Sequence, residues 1–378
     1  MRDNAAVSDA VRLTQRLVAL PSEASDPTAR YEGGPEAGVL EALRSAFEAD
    51  GVGCELQPVL PGRSNLIARV PSPGRPKLLI SGHMDTVSAR GMDDPFSGTL
   101  RDGRIRGRGA CDDKGPIAMV VASLLALRRR DEEPSFDVTF AATVDEEQSM
   151  AGSAELAKKL GRFDLCVALE PTLLRPVHAH KGFCRLSVVT RGTARHSAEP
   201  ARGRNAILEM MPVIRDIEEY GARLAAVTDP ELGHGTLAVT GIRGGTAINI
   251  IPDRCELQVD VRILPEVPPD DVRRDIENLC GRRAEVRSIH AASGMRSALS
   301  GPAWQSLQDA LRTGGIDPAP GAVHYCTDCS HLRRLGPCVV WGPGDIGQAH
   351  SHDEFIAEDQ IRAGCEILMN FLSGANAD

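Results

Sequence analysis

The 378-residue sequence predicts an α/β protein, a mixed sheet flanked by helices, interrupted by a smaller α+β unit. Three observations carry this reading. Through the first half, short apolar runs of strand length alternate with helical patterns, the order of an α/β domain. From about Phe183 the order changes to a self-contained set of strands and two helices. After about residue 293 the helix and strand pattern of the first part resumes. One domain is therefore expected from 1–181 and 293–378, with the second inserted over 182–292. Two domains also suit the length.

Composition narrows the classes. Net charge is −9 with both signs interspersed, which argues against a nucleic-acid partner. No apolar run approaches the ~20 residues of a membrane span, and the opening MRDNAAVSDAVRL lacks a signal-peptide core, so neither membrane insertion nor secretion is expected. The ten cysteines are scattered through core-like segments and read as reduced thiols of a cytoplasmic protein. Aromatic residues are scarce, so aliphatic side chains must fill the cores.

The elements follow in order. Over 8–20, Val11, Leu13, Leu17, Val18 and Leu20 fall near helical spacing until Pro21 stops the helix. A second helix fits 35–49, with Pro35 in its first turn and Gly51 beyond its end. Strands follow at 54–59, 65–70 and 77–80. The last is too short for a helix and ends in SGHMDTV at 81–87. There His83 is placed to hold a metal and Asp85 to accept its other ring N–H; the competing reading is a hydrogen-bonded turn. A hairpin over 98–106 leads to GRGACDDKG at 107–115 and an apolar helix over 116–130. Its glycines suggest a phosphate loop, but the Gly-Lys-Ser/Thr ending is missing and two carboxylates would repel phosphate. Asp112 lies at the loop-to-helix junction, where an N-cap is the alternative role, and Asp113 competes for either.

Strand 136–143 runs into Asp145-Glu146-Glu147. Three carboxylates at the end of an apolar, central strand repel one another unless a cation or shared protons relieve them. A helix near 152–160 and a strand over 164–169 lead to Glu170, another oxygen ligand at a strand end. His178 and His180 share one face of an extended segment, but Lys181 opposes a cation there, so the segment reads as the domain crossover. In the second unit come strand 184–190, loop 191–204, helix 205–225, strands 236–240 and 255–264, helix 270–280 and strand 284–289. His196, alone in its polar loop, reads as a surface residue. The chain closes with helix 302–313, strand 337–341, a loop carrying His350 and His352, and helix 357–372. The Cys326-x-x-Cys329 pair has no second pair beside it and reads as structural thiols.

His83, Asp112, Glu146, Glu147, Glu170 and one of His350 or His352 thus all sit at strand ends or adjoining loops. Histidines and carboxylates without cysteine suit zinc, or cobalt or manganese. More carboxylates are present than one tetrahedral ion needs, which favours two ions sharing a bridging carboxylate and a water. Such a pair polarises a carbonyl and generates hydroxide at neutral pH, with a spare Glu as general base.

The order GHxDTV, GxxDxKG, DEE, an acidic residue closing an apolar strand, then AHxxDE resembles the M20 family of dinuclear metallohydrolases. AHKG at 179–182, RHSAEPARGRNAI at 195–207, YCTD at 325–328 and GPGDIGQAHSHDEF at 342–355 are most similar to its acetylornithine deacetylase branch. The resemblance implies that His83 and Glu170 bind one metal, Glu147 and His350 the other, and Asp112 bridges them. It implies that Asp85 orients His83, that Glu146 is the acid/base, and that the peptide after Asp112 is cis. By the family pattern Asp112 is chosen over Asp113, and His350 over His352. The family fold implies a catalytic domain with an inserted lid and dimerisation domain, hence a homodimer. Its lid histidine corresponds to His196, which would reach across the dimer to the scissile carbonyl; Asn249 and Arg262 would contact the substrate. The implied substrate is a small N-acyl amino acid, N-acetylornithine first. Two departures bear on the acyl group: Met92 stands in a shortened loop over 89–93, and Asp113 replaces an apolar residue.

Overall fold

A computed structural model describes residues 4–24 and 33–374, which divide into two units: 1–178 with 297–321 and 327–378, and 179–296 with 322–326. The inserted segment thus begins a few residues earlier and ends a few later than 182–292, and it includes a short return of the chain.

In the first unit the sheet runs Cys54–Leu60, Arg63–Val70, Asp137–Thr143, Lys77–His83, Leu165–Ala168, Cys338–Val340. Lys77–His83 is parallel to both its neighbours, with His83 opposite Thr143 and Ser81 opposite Ala168. Parallel pairing follows from the helical crossovers Lys114–Arg129 and Ala151–Lys159, and it buries these strands on both faces. That is why their sequences are continuous apolar runs rather than alternating ones. The same register makes the segments after His83, Thr143 and Ala168 leave the sheet along one edge, where sites form in α/β sheets.

Helix Lys114–Arg129 is buried from Lys114 to Leu127 and packs against helices Asn4–Val18 and Glu358–Ser373. Being enclosed, it needs no polar stripe, which explains its uniformly apolar sequence. Trp341 is buried in this core, and its indole N–H donates to the Leu174 carbonyl at 2.7 Å, so its one polar atom is satisfied. Short elements such as the strands Gly321–Val323 and Phe355–Ala357 and the helix Cys329–Leu332 carry no periodic signal. Phe355–Ala357 extends the hairpin of Leu100–Arg101 and Arg104–Arg106.

The second unit is a four-stranded antiparallel sheet ordered Thr236–Gly244, Arg254–Ile263, Gly182–Arg191, Ala284–Ala292. Helices Ala206–Ala225 and Pro269–Cys280 contribute Met210, Val213, Ile217, Val272 and Ile276 to a core with Leu186, Val188, Leu257, Val259 and Val261. Asn205 caps the first helix, its side chain accepting the N–H of Ile207 at 2.9 Å.

Candidate active site

The first unit's sheet edge delivers the predicted ligands. His83 ends its strand, Glu146 and Glu147 follow Thr143, and Glu170 lies two residues past Ala168. Asp112 comes from the turn before helix Lys114–Arg129, through a cis Asp112–Asp113 peptide, and His350 from the loop after Cys338–Val340. Gly82 has no alternative in this setting: a Cβ there would lie 2.4 Å from Asp113 Oδ2. Asp113 occupies the N-cap position of the helix without capping it; its Oδ2 accepts the backbone N–H of His83 at 3.3 Å. Lys114 is buried, donates to the Leu20 carbonyl at 2.7 Å, and is pushed down to about 7 by burial.

The His83 ring decides the chemistry. Its Nδ1 lies 2.9 Å from the carbonyl oxygen of Asp85, which can only accept, so Nδ1 carries the hydrogen. Nε2 lies 2.9 Å from Asp112 Oδ1. In the neutral ring this sets a lone pair against a carboxylate oxygen inside the protein, an arrangement that either a proton on Nε2 or a cation between the two groups relieves. His350 also turns its Nε2 to carboxylates, 3.0 Å from Glu147 Oε1 and 3.4 Å from Asp112 Oδ2. Nitrogen or oxygen ligand atoms of His83, Asp112 and Glu147 all lie within 4.8 Å of one another, and among the described residues no other group does so. Glu170 stands outside that radius, buried at its strand end. A nitrogen and oxygen donor set with acceptors converging from four segments fits borderline divalent cations.

Burial and crowded carboxylates dominate the electrostatics of the site. Burial, then the charges of Asp328, Glu147 and Asp85, raise the Glu146 carboxyl well above the usual range, against the pull of His83. Burial does the same for Glu170, helped by Asp112 and Glu146. Burial would also raise Asp112, but hydrogen bonds to His350 and His83 outweigh it and hold Asp112 low. His350 is raised to about 10 by its contacts with Asp112 and Glu147.

Asp85 corrects an expectation. Its carboxylate does not accept the His83 ring N–H, since Oδ1 is 3.8 Å from Nδ1 and the Asp85 carbonyl is closer. The carboxylate instead accepts the backbone N–H groups of Glu146 and Glu147, each at 3.1 Å. Those two donors would otherwise be buried without partners, so Asp85 holds the glutamate turn by its side chain and the imidazole by its backbone.

Other predicted residues fall elsewhere. His352 packs beside Gly91, where a Cβ would be 3.4 Å from its Nε2, next to the Met92 turn. His178 and His180 point their Nδ1 atoms at the carbonyls of Ser297 and Lys181. All ten cysteines are outside disulfides. In the second unit His196 Nδ1 accepts the N–H of Ala198 at 3.1 Å, which leaves the hydrogen of the neutral ring on Nε2. His196 forms a bridge with Ile250, and Ser197 donates to the Asn249 carbonyl at 3.0 Å, so His196 and Asn249 belong to one local structure. Arg262 donates to Asp260 at 2.8 Å and lies over the Phe183 ring.

Sequence reasoning missed the supports behind the ligands. Arg63 joins Glu36, a bidentate and mostly buried partner, and donates to Asp145 Oδ1 at 2.6 Å. Asp145, with φ of 66°, begins the turn that carries Glu146 and Glu147. Asp328 is buried and bonds the Thr143 hydroxyl at 2.9 Å. Asp328 lies within YCTD at 325–328, noted above only for its family likeness, and nothing in the local pattern marks Arg63.

The sequence model of peptidase family M20/M25/M40 matches residues 79–374. An acetylornithine deacetylase of Vibrio campbellii is 32% identical over 353 residues, covering 87% of this chain and 89% of that protein. Another, from Proteus mirabilis, is 32% identical and covers 95% and 94%. Among solved structures, a tripeptidase of Staphylococcus aureus aligns with a TM-score of 0.77 at 19% identity, covering 97% of this chain and 98% of that one. A dinuclear metal-binding M20 peptidase of Bacillus subtilis aligns at 0.68 with 15% identity, covering 97% of each chain.

Proposed function

The chain belongs to peptidase family M20/M25/M40, and from that premise we propose that it is a two-metal amidohydrolase that removes the acyl group of an N-acyl amino acid, N-acetylornithine first among candidates. The observation that supports it most is the pair of imidazole Nε2 atoms facing the carboxylates of Asp112 and Glu147. In this reading His83 and Glu170 would hold one ion, Glu147 and His350 the other, and Asp112 would be shared between them. Zinc is the leading candidate, with cobalt and manganese as alternatives. When bound, the ions supply Lewis-acid activation of the amide carbonyl and of a water.

The chain's own residues do the rest. Glu146, whose buried carboxyl favours holding a proton, takes one from the water at its carboxylate oxygen and returns it to the leaving amine. Asp85 keeps Glu146 in place through its backbone N–H. His196, with its hydrogen on Nε2, donates to the oxygen that gains charge as the carbonyl is attacked, acting from a second copy of the chain. Asn249 and Arg262 contact the substrate, the arginine through the substrate carboxylate. A homodimer through the second unit is supported by exposed Leu208, Met211, Val239 and Ile242 on helix Ala206–Ala225 and edge strand Thr236–Gly244. The ten cysteines, none in a disulfide, support a cytoplasmic setting.

Kinetics on N-acetylornithine, N-succinyl-diaminopimelate, other N-acetyl amino acids and dipeptides test the substrate. The highest kcat/KM is expected on N-acetylornithine, and equal or better turnover of another class reassigns the specificity within the family. Dialysis against a chelator is expected to abolish turnover, and added zinc or cobalt to restore it. Activity that survives chelation overturns the metal reading.

A further inference from the structure

Glu354 lies four residues after His350, and its side chain reaches the loop that carries Asp112. Its Oε1 accepts the N–H groups of Cys111 at 2.9 Å and Asp112 at 3.1 Å. Its Oε2 accepts the N–H of Gly109 at 3.0 Å and Arg108 Nη1 at 2.6 Å. Arg108 Nη2 donates back to the Ser351 carbonyl at 3.1 Å, and the Gly107 N–H to the Glu354 carbonyl at 3.0 Å. Both side chains are almost fully buried, at 2% and 1% exposure. The pairing of Phe355 with Arg106 continues the contact outward.

A buried ion pair is a poor device for stability alone, because desolvation cancels most of its attraction. This pair joins the two loops that carry the proposed bridging carboxylate and the second histidine ligand. We infer that Glu354, held by Arg108, is a positioning residue that sets the separation of Asp112 and His350 and thereby the affinity for the second ion. The inference rests on the two-metal reading above. A carboxylate is required at 354, because each of its oxygens faces two donors. A glutamine would set its NH2 against donors whichever way the amide turned.

The test is titration of the metal-free full-length protein with Co(II), followed by calorimetry and by the visible d–d bands, for wild type, Glu354→Gln and Arg108→Lys. Wild type is expected to take two ions per chain. In Glu354→Gln the weaker binding step falls about 10–100-fold and the d–d bands shift, since the supports of ligands typically count for that much. Arg108→Lys keeps the charge but loses the fork that also reaches Ser351, and the same step falls about tenfold. Melting of the metal-free forms separates this from a folding defect, because a merely structural role lowers the melting temperature without changing bands or stoichiometry. If Glu354→Gln does not fold, Arg108→Lys carries the test. Wild-type affinity and bands in the folded variants overturn the latch. A wild type that binds no second ion overturns the two-metal reading itself.

Discussion

At the scale of single residues, the candidate ligands stand out in the sequence because the same chemistry recurs at successive strand ends. His83, Glu147 and Glu170 each follow an apolar run that only a buried strand explains. What could not be read was which atom of Asp85 would face the imidazole. That depends on backbone torsions within a two-residue turn, and there the carbonyl lies nearer than the carboxylate. Glu146 is the residue whose removal should separate chemistry from binding. Glu146→Gln preserves size but cannot take a proton, so kcat should fall about 10²–10⁴-fold. Metal content, measured by elemental analysis, should stay at the wild-type value. Full activity in this variant would exclude Glu146 as the base.

At the scale of elements, helix and strand positions followed from periodicity and apolar runs, and most ends moved by only a residue or two. The short pieces Gly321–Val323, Cys329–Leu332 and Phe355–Ala357 did not show, because they are too short to have a period and owe their form to neighbours. Long-range supports were equally silent: Arg63 and Asp145 are 82 residues apart in sequence and meet only because antiparallel strands bring them together. Arg63 serves both Glu36 and Asp145, and all three side chains are largely buried. Arg63→Met leaves two buried carboxylates unpaired and should cost about 3–5 kcal/mol of stability. Urea unfolding of the metal-free protein measures this, and a loss below about 1 kcal/mol would mark the cluster as an ordinary surface pair.

At the scale of the whole molecule, the change of pattern near Phe183 disclosed the second unit, while the short return at 322–326 carried no signal. The row of exposed apolar residues on helix Ala206–Ala225 and strand Thr236–Gly244 likewise becomes visible only once the sheet order makes Thr236–Gly244 an edge. Charges placed there, as in Leu208→Asp with Ile242→Asp, should convert a dimer to a monomer in sedimentation velocity. If His196 acts from a second copy, that monomer should lose kcat yet keep its metal. The sheet order has a further consequence, for the order of synthesis. Cys338–Val340 pairs with Leu165–Ala168 on one side and, through Val340, with Val177 on the other, so a strand translated long after both its neighbours fills an interior place. Until it leaves the ribosome, Leu165–Ala168 keeps an open edge, and both His350 and the latch at Glu354 are still to come. In the two-metal reading the ligand set is therefore incomplete until residue 350 has been made, and before then the nascent chain has no finished cage for an ion.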